Sequence, residues 1–393
     1  PMRHRRSMHM ISWLIPEHFS DILPREARVL ESMRRKCLDL FKVHGFELVQ
    51  PPMVEYVDSL LTGSGSDLDN STFKFMDPGT GRTIGIRADM TPQCARIDAH
   101  ILGRKGVSRL CYAGSCLHAR PMHPLASREP VVAGVELFGA SGIEADAEIM
   151  SLAVRTLKKL GIDVVHIDIG HMAILHALMG ERISDESVHG VVRALRMKDP
   201  VALAQAAVGF DPEVQQALQL LLRTFGEVSV LDILERELPQ KPEIQAALRE
   251  VRELASICGA DEVSVDFCDV HGYQYLTGIT FSVNIPNYAQ AVLRGGRYDG
   301  VGLAFGRSRP ACGFTVYLRA LAGLQVAASH RPQAIVARGP LARDLEAQVE
   351  KLRDEGHIVV RLLPGERDED VLEQFVITKE LVRTSSGFEL KAL

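Results

Sequence analysis

Val131-Val132-Ala133-Gly134-Val135-Glu136-Leu137-Phe138-Gly139 is an apolar run broken by a single carboxylate. It follows a polar, proline-containing loop and ends on glycine, so a β-strand is expected over 131–138. A carboxylate buried in such a strand without a partner is costly, and a ligand or an arginine is expected to satisfy Glu136. Before the loop, Arg109–Ala113 has the character of a second strand. Two strands joined by a loop predict an antiparallel pair.

Working outward toward the N-terminus, Leu30, Met33, Cys37, Leu40 and Phe41 recur at three- and four-residue steps, which predicts an amphipathic helix from Pro24 to near Gly45. Phe46–Gln50 reads as a strand that Pro51-Pro52 must close or confine to a sheet edge. The turn-rich Asp77-Pro78-Gly79-Thr80-Gly81 predicts a hairpin between 73–76 and 83–87. That hairpin delivers Asp89 and Thr91 to the start of a helix expected over 91–102.

Toward the C-terminus, a helix over about 145–160 and a strand over 164–169 precede a stretch, 171–258, whose periodicity is almost wholly helical. Strands are expected again at 263–270, 279–285, 291–293 and 313–317, with a closing helix over 318–326. Strands that bracket a helical block argue for an α+β fold, an antiparallel sheet flanked by helices, rather than a doubly wound parallel sheet. A linker over 327–332 leads to a βαβ-like pattern at 334–338, 341–355 and 358–363. The expected organisation is a disordered extension over 1–14, a main domain over 15–325 with a helical insertion at about 180–260, and a small α/β tail over 333–393.

The chain has 393 residues, 46% hydrophobic and 24% charged, with a net charge of -5, so a nucleic acid would need a local basic patch. Seven cysteines without a CxxC pair read as reduced, buried thiols and fit a reducing cytoplasm. Met2-Arg3-His4-Arg5-Arg6-Ser7 is basic, but no adequate apolar region follows it, and no later segment has the length of a membrane span. His118, His123 and His271 lack the companions of a metal site, and no cofactor is expected. Arg34-Arg35-Lys36 reads as the solvated face of its helix.

Several segments together resemble the class II aminoacyl-tRNA synthetases, and the histidyl enzyme in particular, over about residues 15–325. Gly45–Pro52 resembles motif 1, which builds the dimer interface in that family, and Arg87-Ala88-Asp89-Met90-Thr91 resembles the loop that holds the amino group of histidine. Gly134–Gly139 resembles the end of motif 2. Gly272-Tyr273-Gln274-Tyr275-Leu276-Thr277-Gly278 and Gly295-Gly296-Arg297-Tyr298-Asp299-Gly300 resemble two segments peculiar to the histidyl enzyme. The resemblance implies a histidine pocket made by Asp89, Thr91, Glu136, Tyr275, Tyr298 and His271. In it, Val132 replaces a glutamine and Leu276 replaces a tyrosine.

Activating an amino acid with ATP needs cations that gather the triphosphate. The three arginines that the family uses fall on Leu117, His271 and Ala320, and the glycine beside the adenine falls on Tyr317. Arg120 and Arg319 are the available substitutes. Ile86–Gln93, Cys111–Gly114 and Arg128-Glu129-Pro130 are similar to one branch of the superfamily, the regulatory subunits of ATP phosphoribosyltransferase. That resemblance implies no catalytic activity of the chain's own, a short-form catalytic chain as partner, a homodimer within a hetero-octamer, free histidine as effector, and no tRNA or membrane. An active histidine-tRNA ligase and a tRNA-like RNA-binding module stand as alternatives. For Asp89 a helix N-cap is the alternative role, and for Gly295-Gly296 a β-bulge.

Overall fold

The structure is a computed structural model that describes residues 14–61, 66–184, 186–286, 288 and 290–393; the basic Met2–Ser7 stretch lies outside them. The N-terminal half contributes strands β1 (Glu47–Leu48), β2 (Val54–Tyr56), β3 (Phe73–Met76), β4 (Thr83–Ile86), β5 (Ser108–Ser115) and β6 (Val131–Phe138). After these come β7 (His166–His171), β8 (Gly226–Glu227), β9 (Glu262–Val265), β10 (Ile279–Val283), β11 (Leu293–Arg297) and β12 (Ala311–Tyr317).

Nine of these form one sheet in the order β1-β5-β6-β12-β11-β10-β7-β9-β8. Every neighbouring pair is antiparallel except β1–β5 and β7–β9. The strand carrying Glu136 therefore lies inside the sheet, paired with β5 and β12 on its two sides. Helix Ile143–Lys159 buries Ile149, Met150, Ala153 and Leu157. In the helix Pro24–Val43, Met33, Cys37 and Phe41 are buried, and the Phe41 ring meets Phe314 of β12 edge-on at 5.9 Å. Arg34 and Arg35 pair with Glu31 on the opposite face of that helix. All seven cysteines are buried free thiols.

The hairpin around Asp77–Gly81 forms in register, and β2 joins it in a separate three-stranded sheet that the sequence pattern did not announce. The helix expected over 91–102 is an α-helix only through Arg96; Ile97–Leu102 has π geometry, closed by Gly103 at φ 57°. The wider turn keeps Asp98 inside, where it pairs with Arg309 at 3.2 Å. Between His171 and Cys258 the regular elements among the described residues are helices apart from the two-residue β8.

The strand expected at 291–293 lies instead at 293–297 and carries Gly295 and Gly296 in a regular ladder, without a bulge. Their small size has a packing reason. A Cβ at Gly295 would stand 2.6 Å from the Gly313 carbonyl, and one at Gly296 2.6 Å from that of Ile279.

By contact density the described chain divides into two units, one reaching from Leu30 to Leu324 together with the residues up to Ile22, the other made of Leu23–Val29 and Gln325–Leu393. The smaller unit has strands β13 (Gln333–Ala337), β14 (Val359–Arg361), β15 (Val376–Thr384) and β16 (Gly387–Ala392) in the order β14-β13-β15-β16. β13 runs parallel to both neighbours and β15–β16 is a hairpin. Helix Arg343–Asp354 contributes Leu345, Val349 and Leu352 to a core shared with Ile335, Val359 and Leu381.

Candidate functional site

Glu136 is 1% exposed, and its partners are hydroxyls. Thr91 Oγ1 at 2.9 Å and Tyr112 OH at 3.2 Å donate to Oε1, and Tyr298 OH donates to Oε2. The expectation that a ligand or an arginine must satisfy this carboxylate is thereby corrected: three hydroxyls from three elements do so. Burial pushes its pKa well above the usual carboxylate range and the negative charge of Asp89 adds to the rise, against the Thr91 and Tyr112 hydrogen bonds. Gly313, directly opposite in β12, leaves room for it; a Cβ there would overlap Glu136 Oε2.

Asp89 accepts from the Thr91 amide at 3.0 Å, which organises the entry to the helix Thr91–Arg96, although the N-cap position itself is Met90. The Thr91 hydroxyl also lies 3.1 Å from Asp89 Oδ1. Thr91 has one hydroxyl hydrogen and two carboxylates within reach of it. Asp89 Oδ2 has no partner among the described residues.

Two adjoining cavities open on this cluster, of about 120 Å³ and 270 Å³. Asp89, Thr91, Glu136, His271, Tyr275 and Tyr298 all line the smaller one, so the structure brings together the six residues of the expected histidine pocket. Three further carboxylates, Asp168, Asp266 and Asp269, line it as well. The larger cavity is more apolar, bordered by Val132, Pro92, Cys116 and Met122, and also by His118. His118 donates from Nε2 to the Ala88 carbonyl at 3.0 Å and leaves Nδ1 buried without a hydrogen-bond partner. Tyr275 is 38% exposed and lays its hydroxyl end over Gly272, whose φ of 72° also favours glycine.

His271 has both ring nitrogens engaged, Nδ1 with Asp269 and Nε2 with Arg196 at 2.7 Å. A guanidinium only donates, so Nε2 accepts and Nδ1 carries the hydrogen. Asp269 also pairs with Arg294 at 3.0 Å. Burial raises the Asp269 pKa, but the His271 hydrogen bond and the Arg294 charge outweigh it and hold the group below the usual range. Arg294, Asp269 and Tyr112 escaped the sequence reading, because an arginine before two glycines or a tyrosine in an apolar strand has no distinguishing pattern. Among the described residues, Arg294 is the one arginine or lysine that lines either cavity.

Of the arginines considered as substitutes, Arg319 is spent on the Glu129 carbonyl and on Ser20, and Arg120 borders neither cavity. Leu117 and Ala320 are likewise absent from the linings. Among the described residues no group of three or more His, Cys, Asp or Glu is placed to hold a metal ion.

A family model described as histidyl-tRNA synthetase matches residues 18–321, and one described as the ATP phosphoribosyltransferase subunit HisZ C-terminal domain matches 332–391. A crystal structure of an ATP phosphoribosyltransferase regulatory subunit/histidyl-tRNA synthetase from Bacillus halodurans C superposes with a TM-score of 0.80 at 24% identity, covering 94% of this chain and 98% of that one. A histidyl-tRNA synthetase from Nostoc sp. PCC 7120 gives 0.77 at 16% identity, covering 98% and 95%. Fold and site thus define a class II, histidyl-tRNA-synthetase-like protein. The ATP phosphoribosyltransferase regulatory subunit of Janthinobacterium sp. (strain Marseille) is 45% identical over 93% of this chain and 95% of its own length. That of Cupriavidus necator is 45% identical over 96% and 98%. The chain belongs to the family of ATP phosphoribosyltransferase regulatory subunits. No helix among the described residues is long and apolar enough to cross a membrane.

Proposed function

We propose that this non-catalytic subunit assembles with a short-form ATP phosphoribosyltransferase catalytic chain in the cytoplasm, as a homodimer within a hetero-octamer, and binds free histidine in its acidic cavity as a feedback effector. One observation carries the effector reading: Asp89 and Glu136 converge on a single shared hydroxyl hydrogen. Two carboxylates in that arrangement favour a cation between or beside them. Histidine brings an ammonium for Asp89 and an imidazole N–H for Glu136, whose Oε2 takes only one donor.

Binding without turnover is what an effector site requires. The three positions that would gather a triphosphate hold Leu117, His271 and Ala320, and His271 is already engaged on both sides. Coupling between such a cavity and a partner's active site is on the order of 1–3 kcal/mol.

The test is histidine inhibition of the reconstituted complex with Asp89→Ala and Glu136→Gln subunits. Both variants are expected to weaken inhibition while leaving basal activation of the catalytic chain largely intact. Unchanged inhibition in both places the effector elsewhere. Histidine-dependent ATP/pyrophosphate exchange by the purified chain would instead favour the ligase alternative.

A further inference from the structure

Resting on the histidine reading above, we infer that Arg294 is the carboxylate clamp of the cavity, so that the site takes a free α-amino acid rather than an amine, amide or ester. The guanidinium borders both cavities. It is anchored at one corner, where Nη1 donates to Asp269 Oδ2 at 3.0 Å and lies 3.4 Å from Oδ1. Its Nε and Nη2 have no partner among the described residues, and the side chain is 27% exposed. Asp269 is itself held by His271 and, at 3.4 Å, by Ser282 Oγ.

The opposite charge is supplied by Asp89, which borders the same two cavities and keeps Oδ2 free. An α-amino acid carries one ammonium and one carboxylate on the same carbon, and Asp89 and Arg294 offer one open carboxylate oxygen and one open guanidinium edge. An arginine with a free planar edge is the side chain best suited to a carboxylate. The environment adds a reason. With Asp89, Asp168, Asp266 and Asp269 on the wall, Arg294 is the one arginine or lysine among the described residues that can meet a ligand's anionic end. His271, at the position where the synthetases keep a cation, has both ring nitrogens committed and cannot take this role.

Isothermal titration calorimetry on the full-length chain with L-histidine, L-histidinol and L-histidinamide tests this directly. Wild type is expected to prefer histidine by about 10- to 100-fold, the value of a hydrogen-bonded charge pair. Arg294→Gln should lower histidine affinity to that of histidinol while leaving histidinol binding nearly unchanged, and Arg294→Lys should recover part of the preference. Equal wild-type affinity for histidine and histidinol overturns the clamp and leaves the histidine site standing; this comparison needs no variant to fold. A preference that persists in Arg294→Gln overturns it too. Absence of binding by all three ligands overturns both the clamp and the histidine reading.

Discussion

Glu136 is held by Thr91, Tyr112 and Tyr298, yet desolvation and Asp89 keep its proton affinity high. From pH 4.5, its ordinary value, up to the raised folded value, the native chain holds a proton that the unfolded chain has released. Stability therefore falls as pH rises through that window. Glu136→Gln removes the titration, so the variant is expected to melt above wild type at neutral pH, with the gap closing as pH drops toward 4.5. Thermal melts across that range check it; a gap that is constant with pH contradicts it. The residue was legible as a candidate because a lone carboxylate in an apolar strand stands out. Its satisfaction by hydroxyls was not legible, because Tyr112 and Tyr298 come from β5 and the segment after β11, and only strand order brings them together. Asp89 shows the converse. Its local role at the helix start and its open oxygen coexist, so the two readings of its sequence context were not exclusive.

At the scale of elements, the strand β6, the β3–β4 hairpin and the helix Ile143–Lys159 followed from periodicity and turn chemistry. β11 did not, because Gly295-Gly296 has poor strand propensity and owes its place to close contact with β10 and β12. The π turn at Ile97–Leu102 was hidden too, since α and π segments differ little in apolar spacing. β11 ends on Arg297, whose guanidinium meets Asp146 of the helix Ile143–Lys159 at 2.9 Å, with both side chains under 10% exposed. It also reaches the Ala140 carbonyl at 3.1 Å and Asp299 at 3.0 Å. This ties the segment that delivers Tyr298 to the rest of the sheet. Asp146→Ala strands a buried cation and is expected to cost about 3–5 kcal/mol by urea denaturation, well above a surface substitution. A cost under about 1 kcal/mol would mean that Asp299 and the carbonyl suffice.

Over the whole molecule, the edge of the nine-stranded sheet bears on assembly. Among the described residues β1 pairs only with β5, and Leu48 is 51% exposed beside the exposed Glu47, Pro52 and Met53. A short apolar edge of this kind is expected to be covered by its own symmetry mate, with segment 46–52 in a two-fold interface. Analytical ultracentrifugation at micromolar concentration should give a dimer. Replacing Leu48 by Arg should shift it toward monomer, and a wild-type monomer would contradict the assignment.

The seven buried cysteines have a consequence of another kind. Burial alone lifts the thiols of Cys37 and Cys111 to about 12 and about 11, and it is the main cause that lifts Cys116 to about 12. Since the thiolate is the reactive form, the folded chain is expected to react slowly with alkylating reagents and mild oxidants. Each cysteine then serves as a built-in clock for local opening, with Cys37 timing the first helix, Cys258 the end of the helical insertion and Cys312 the middle of the sheet. Cys116, on the wall of the larger cavity, reports whether that cavity breathes.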